Sequence, residues 1–151
     1  MAGSNSSLSV EITLLLQQLD FGYDRQSWHG PNLKGSLRGI TSDEATWRPA
    51  AERHCVADIA IHAAYWKYAA RRRLVGAKRG SFPLKGSNWF ALPDPLDDAT
   101  WRGYLFLLES EHRLMRAAVA ALPLPQLDVV PRGSKVTNRM LIQGMAAHDV
   151  Y

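Results

Sequence analysis

"CVADIAIHAAYWKYAARRRL", residues 55–74, decides the fold class of this chain. Val56, Ile59, Ala63, Trp66 and Ala70 recur at three- and four-residue steps, the spacing of one face of an α-helix, and Gly76 stands where such a helix would stop. His62 falls inside that apolar arc, one turn from Ile59 and one from Trp66. The stretch predicts an amphipathic helix with an imidazole on its inner side.

Working outward, the same rhythm recurs. Leu8, Ile12, Leu15, Leu16 and Leu19 describe a first helix that breaks near Gly22. Pro31 suits the first turn of a second short stretch with Leu33, Leu37 and Ile40 as its stripe, and TSDEA (41–45) offers an N-cap followed by acids. Beyond residue 74 lies a Gly-, Ser- and Pro-rich segment to about Asp97, containing Trp89 and Phe90. A connection of that length in a compact domain implies a covering loop. Asp97 and Asp98 then open a long helix on which Trp101, Leu105, Leu108, His112, Met115, Val119 and Leu122 form the inner seam. After Pro123 and the irregular stretch that follows, Thr137 is a good N-cap for a last helix, with Leu141, Met145 and His148 inward. The expected fold is all-α: one domain over residues 1–151, a four-helix bundle with an extra N-terminal helical segment.

Composition narrows the class. The chain has 151 residues, 46% of them hydrophobic, enough for a self-sufficient core. No apolar run has the length of a membrane span, and the start lacks the basic-then-apolar order of a signal peptide, so a cytoplasmic protein with no membrane partner is expected. A single cysteine, Cys55, excludes an internal disulfide framework and a CxxC zinc site. Any metal must be held mainly by His, Asp or Glu. Cys55 at a helix start invites two readings, a thiol activated by the helix dipole or a small buried capping residue.

The net charge of +4 is uneven: no Asp or Glu lies between Asp58 and Asp94, while seven lysines and arginines do. Such a patch suits an anionic small molecule, or it complements a helix C-terminus and stays wet. No groove-reading helix is apparent, so nucleic acid is not an expected partner. Ser-His-Asp order, nucleotide-binding glycine loops and paired-carboxylate motifs are also absent.

Histidines therefore carry the chemistry. Bundle helices present ligands inward from several directions, and neutral imidazole is the commonest metal ligand. Two ligands on one helix must lie about one turn apart, so a partner for His148 belongs at position 152. The closing residues AAHDVY (146–151) contain no helix stop signal, and the last helix is expected to be cut short within a longer product.

The order WHGPNL (28–33), WRP (47–49), RHCVADIAIHAAYW (53–66), RRRLVG (71–76), NWF (88–90), HRLMRAA (112–118), VPRG (130–133) and AAHDVY (146–151) resembles the DinB superfamily of helical bundles. The likeness spans the chain from about Leu15 to Tyr151. It implies a divalent transition metal, zinc or nickel, held by one histidine on the second bundle helix and an H-x-x-x-H pair on the last. By that resemblance His62 matches the first ligand and His148 the second, with the third expected just after Tyr151. His29, His112 and Trp89 are candidates for the pocket wall or for supporting the ligands. A three-histidine centre would activate a thiol or water, making the chain a thiol-dependent transferase or isomerase, or a hydrolase, acting on a small-molecule substrate. The resemblance further implies a homodimer and a low-molecular-weight thiol as co-reactant. The competing class is a non-catalytic bundle that binds a ligand or dimerises, with core histidines and no metal.

Overall fold

The computed structural model describes residues 8–28 and 30–151. Among them every regular element is helical, apart from two isolated bridges, Ser27 with Gly30 and Ser87 with Trp89. The order is α1 (Val10–Tyr23), α2 (Leu33–Ser36), α3 (Ser42–Thr46), α4 (Val56–Leu74), α5 (Asp98–Ala120), a 3-10 turn (Leu124–Asp128) and α6 (Asn138–His148). No helix among the described residues is long and apolar enough to cross a membrane.

Most helix starts follow from local chemistry. The Ser9 side chain accepts from the Ile12 amide, Asp97 from Thr100 and Thr137 from Met140, each satisfying one of the amides a helix start leaves unpaired. Thr41 and Glu44 form a reciprocal capping box on α3. The expected second stretch shrinks to the four residues of α2, because Asn32 rather than Pro31 is its cap and the chain turns at Gly39 with φ of 78°.

Two apolar clusters hold the helices together. The first joins Ala57, Ala60, Ile61 and Ala64 of α4 to Trp101 and Leu108 of α5, and Phe90 and Leu96 of the long loop close over it. The second joins Ile12, Leu15, Leu16 and Leu19 of α1 to Met115 and Val119 of α5 and to Ile142 and Met145 of α6. Contacts run α4 to α5, α5 to α1, α1 to α6 and α6 back to α4. The face expected on α4 holds at Ala63 and Ala70 and fails at Ile59, which is exposed, and the buried surface extends to Ala57, Ala60, Ile61, Ala64, Lys67 and Tyr68. With α3, α5 and α6 all against it, α4 buries a broad arc of alanines, whose small side chains let neighbouring helices approach closely and leave little mark in a size-weighted pattern.

Gly22 marks a close approach of α1 and α6. A Cβ built there would lie 2.8 Å from the Ala146 carbonyl oxygen, and backbone cannot move aside as a side-chain tip can. Gly22→Ala is therefore expected to destabilise by about 1–3 kcal/mol despite alanine's better helix propensity. Urea unfolding of the two proteins checks this, and an alanine variant as stable as the parent would contradict the close crossing.

Candidate functional site

His62 and His148, 86 residues apart, meet between α4 and α6 with their Nε2 atoms 3.2 Å apart and ring centroids 5.0 Å apart. His62 Nδ1 lies 2.9 Å from the Asn88 carbonyl oxygen. A carbonyl oxygen only accepts, so Nδ1 carries the proton and Nε2 presents a lone pair towards His148. Asn88 can supply that carbonyl because it holds φ of 64°, a left-handed conformation asparagine tolerates better than most residues. Its side-chain oxygen also accepts from Trp66 Nε1 at 2.9 Å, which ties the loop to α4.

Trp89 fixes the plane of the His62 ring. The indole stacks on His62 at 4.0 Å and 10°, and on its other face His54 stacks at 3.5 Å and 8°. Trp66 meets His62 edge-on at 6.3 Å. Beside the two histidines lies a mostly apolar cavity of about 490 Å³, with Trp66, Met140, Leu141 and Met145 in its wall. Burial first, and then the charges of His62 and Lys67, push the His148 pKa down, so this ring stays neutral.

The His148 tautomer is the deciding question. Its Nδ1 is buried with no hydrogen-bond partner. A proton on Nδ1 strands that N–H as a donor and leaves two lone pairs facing each other across 3.2 Å, and a cation relieves the second of these. Placing the proton on Nε2 makes a His148-to-His62 hydrogen bond and strands Nδ1 as an acceptor. The separation also suits a shared ion, since two bonds of about 2.0–2.1 Å at a tetrahedral angle put their nitrogens about 3.3–3.4 Å apart.

Directly after His148 comes a buried ion pair. Lys67 Nζ and Asp149 Oδ2 are in contact and both side chains are wholly buried. Burial draws the Lys67 pKa down and the Asp149 pKa up, each opposed by the other's charge. Lys67 Nζ also sits 5.0 Å from the Tyr23 ring centroid, and Tyr23 donates to Glu109 Oε2 at 3.0 Å. The pair fastens the end of α6 to the middle of α4 and so fixes the backbone that carries His148.

His112 does not join His62 and His148. It stacks on Tyr23 at 3.9 Å, and its Nε2 stands 3.8 Å from Asp20 Oδ1, too far for a hydrogen bond. Both ring nitrogens lack partners. Burial, then the charges of Lys67, Arg116 and Lys34, pull its pKa down to about 3. One ligand atom each from Asp20, Asp24 and His112 lie within 4.8 Å of one another. Arg116 already binds both Asp20 oxygens, at 2.8 and 3.0 Å, so a metal ion there would compete with a bidentate guanidinium. The His62–His148 pair has no such competitor. His29 lies outside the described residues.

Cys55 takes the capping reading. It is buried at the N-cap of α4, its Sγ lies 3.4 Å from Asp58 Oδ2, and burial pushes its pKa up. Desolvation is the largest influence on the thiol, which stays protonated. Asn88, Lys67 and Asp149 escaped the sequence reading. A lysine one residue after the inward Trp66, and an acid directly after an inward histidine, were the available signals for the ion pair. Comparison with protein-family models, curated proteins and solved structures gives no match.

Proposed function

We propose that this protein is a metalloenzyme of the DinB kind, in which His62 and His148 hold a divalent transition metal, zinc or nickel, between α4 and α6. The observation that carries the reading is the 3.2 Å separation of two Nε2 atoms, one with its lone pair directed by Asn88 and the other on a ring kept neutral by burial. The closed ring of contacts among α1, α4, α5 and α6 supports the four-helix-bundle architecture of that family. A bound ion of this type lowers the pKa of a thiol or water at its open positions, which suits transfer or isomerisation by a thiol and hydrolysis by water.

The chain's own residues would prepare the site. Asn88 holds the proton on His62 Nδ1 and makes Nε2 a better donor to metal. Trp89 and His54 fix the ring plane, the Lys67–Asp149 pair anchors His148, and Met140 and Met145 give one side of the cavity an apolar wall. A small-molecule substrate would enter through that cavity. Cytoplasmic location, a thiol co-reactant and a homodimer belong to the same proposal and rest on the sequence resemblance.

Protein purified without a nickel column is expected to bind one zinc or nickel ion per chain in calorimetric titration. His62→Ala and His148→Ala should each weaken binding at least ten-fold, because one imidazole remains. The rival is a metal-free ligand-binding bundle in which His148 Nε2–H donates to His62, a geometry the same 3.2 Å contact accommodates. Metal uptake no better than that of the double-alanine protein, together with a nitrogen NMR spectrum showing His148 protonated at Nε2, would establish the rival.

A further inference from the structure

A second cleft, of about 650 Å³, opens along the outer side of α4 beneath the long loop, a size typical of small-molecule sites. Arg72, Arg73, Arg79 and Lys85 contribute to its wall, and no acidic residue does. Among the described residues none of these four has a carboxylate within ion-pair distance. Arg71, their neighbour, differs: it pairs with Glu111 at 3.1 Å.

Like charges gathered without counter-ions repel one another. The Arg73 pKa is drawn down by burial and then by the charges of Arg72 and Arg79. Arg73 is also held in position, donating from Nε to Gly133 O at 3.2 Å and from an Nη to Ala69 O at 3.2 Å. The roof is tied down by contacts of its own. Gly80 and Ser81 amides donate to the Tyr68 hydroxyl at 3.1 and 3.2 Å, and Phe82 lies 5.4 Å from Tyr65 and 5.3 Å from Tyr68, centroid to centroid. An anion is the missing complement to the cations, and a flat apolar body is the complement to the rings.

We propose that this cleft binds a small organic anion, with a phosphate or carboxylate on Arg72, Arg73 and Arg79 and an apolar or aromatic body against Tyr65, Tyr68 and Phe82. Its far wall, Trp66 and Asn88, is shared with the cavity beside His62 and His148. Trp66 donates to the Asn88 side-chain oxygen at 2.9 Å, so this bonded pair is the partition between the two cavities. The anion's role as substrate or co-reactant rests on the metal reading; the anion site does not.

Titration with 1-naphthyl phosphate and 1-naphthoate tests this, with inorganic phosphate and uncharged 1-naphthylmethanol as controls. One equivalent of a naphthyl anion is expected to bind at least ten-fold tighter than either control, and the ratio of the two anions identifies the preferred headgroup. R72A/R79A should weaken it at least ten-fold and Phe82→Ala by a similar factor, while Arg102→Ala on α5 leaves it unchanged. Should the double variant melt early, Arg79→Ala alone, at an exposed position, must still weaken binding several-fold. The H62A/H148A protein should retain naphthyl-anion binding within three-fold even if no metal binds, which separates failure of this inference from failure of the metal reading. Equal binding by parent and arginine variants, or several weak equivalents, would overturn the proposal. So would a steep salt dependence shared with anionic vesicles or oligonucleotides, which marks a diffuse basic surface.

Discussion

Lys67→Met is expected to lower the unfolding free energy at pH 7 by about 3–5 kcal/mol. Lys67 is fully buried and its ammonium is the partner of Asp149 Oδ2, while Asp149 Oδ1 has no other partner. Methionine fills much of the same volume but leaves a carboxylate in the interior without a counter-charge. That carboxylate would take up a proton, at a free-energy cost at neutral pH, or would draw water into the core. Changing both residues, as K67M/D149L, removes the stranded charge and should restore stability to within about 1 kcal/mol of the parent. Urea unfolding at fixed pH measures all three proteins. A single variant as stable as the parent would mean the pair is not buried as described. The double variant should also bind zinc more weakly than the parent, since Asp149 is joined to His148 through the backbone; unchanged affinity would show that the pair supports the fold alone.

Acid should reveal His112. Its folded-state pKa of about 3 lies below the ordinary 6.5, so between those values the unfolded chain binds a proton the native protein refuses. Stability then rises with pH across the window and is lost as pH falls from 6.5 towards 3, by up to about 1.4 kcal/mol per pH unit from this one group. His148, also pushed down by burial, acts in the same direction, whereas Asp149 and Glu111, whose pKa values burial raises, oppose it. The contribution of His112 is isolated by comparison with His112→Leu. That variant should lose most of the slope between pH 6 and 4, and it should be at least as stable as the parent at pH 7, because it no longer buries two ring nitrogens without partners. Parallel stability–pH curves for the two proteins would rule out a neutral, desolvated imidazole at this position.

Much of the helical frame was legible because its causes are local. Thr41, Asp97 and Thr137 cap helices where their positions suggested, and the seam from Trp101 to Val119 is buried as its spacing implied except at Leu105, which is half-buried. On α4 the expected face is buried at Ala63 and Ala70 and half-buried at Val56 and Trp66, but not at Ile59. Ile59 outweighs alanine in any pattern based on side-chain size, yet the surface that neighbouring helices need is the one with least bulk. The covering loop was recognised from its length, but nothing local shows that Asn88 turns its carbonyl towards His62, or that Trp89 lies between His54 and His62 rather than over the cavity mouth.

The inward histidines were visible for the same reason as the helices: a 3.6-residue period places a side chain on a face whatever that face later meets. Which polar group each one meets is not periodic information. His62 and His148 are 86 residues apart and His112 and Asp20 are 92 apart, yet one pair stands at 3.2 Å and the other at 3.8 Å. By itself the chain determined where the long helices start and most of the side chains that leave water. Only the packed structure decided that two of those imidazoles face each other while the third lies stacked on Tyr23, because such separations depend on how four helices cross at once and a shift of about 1 Å makes or breaks a polar contact.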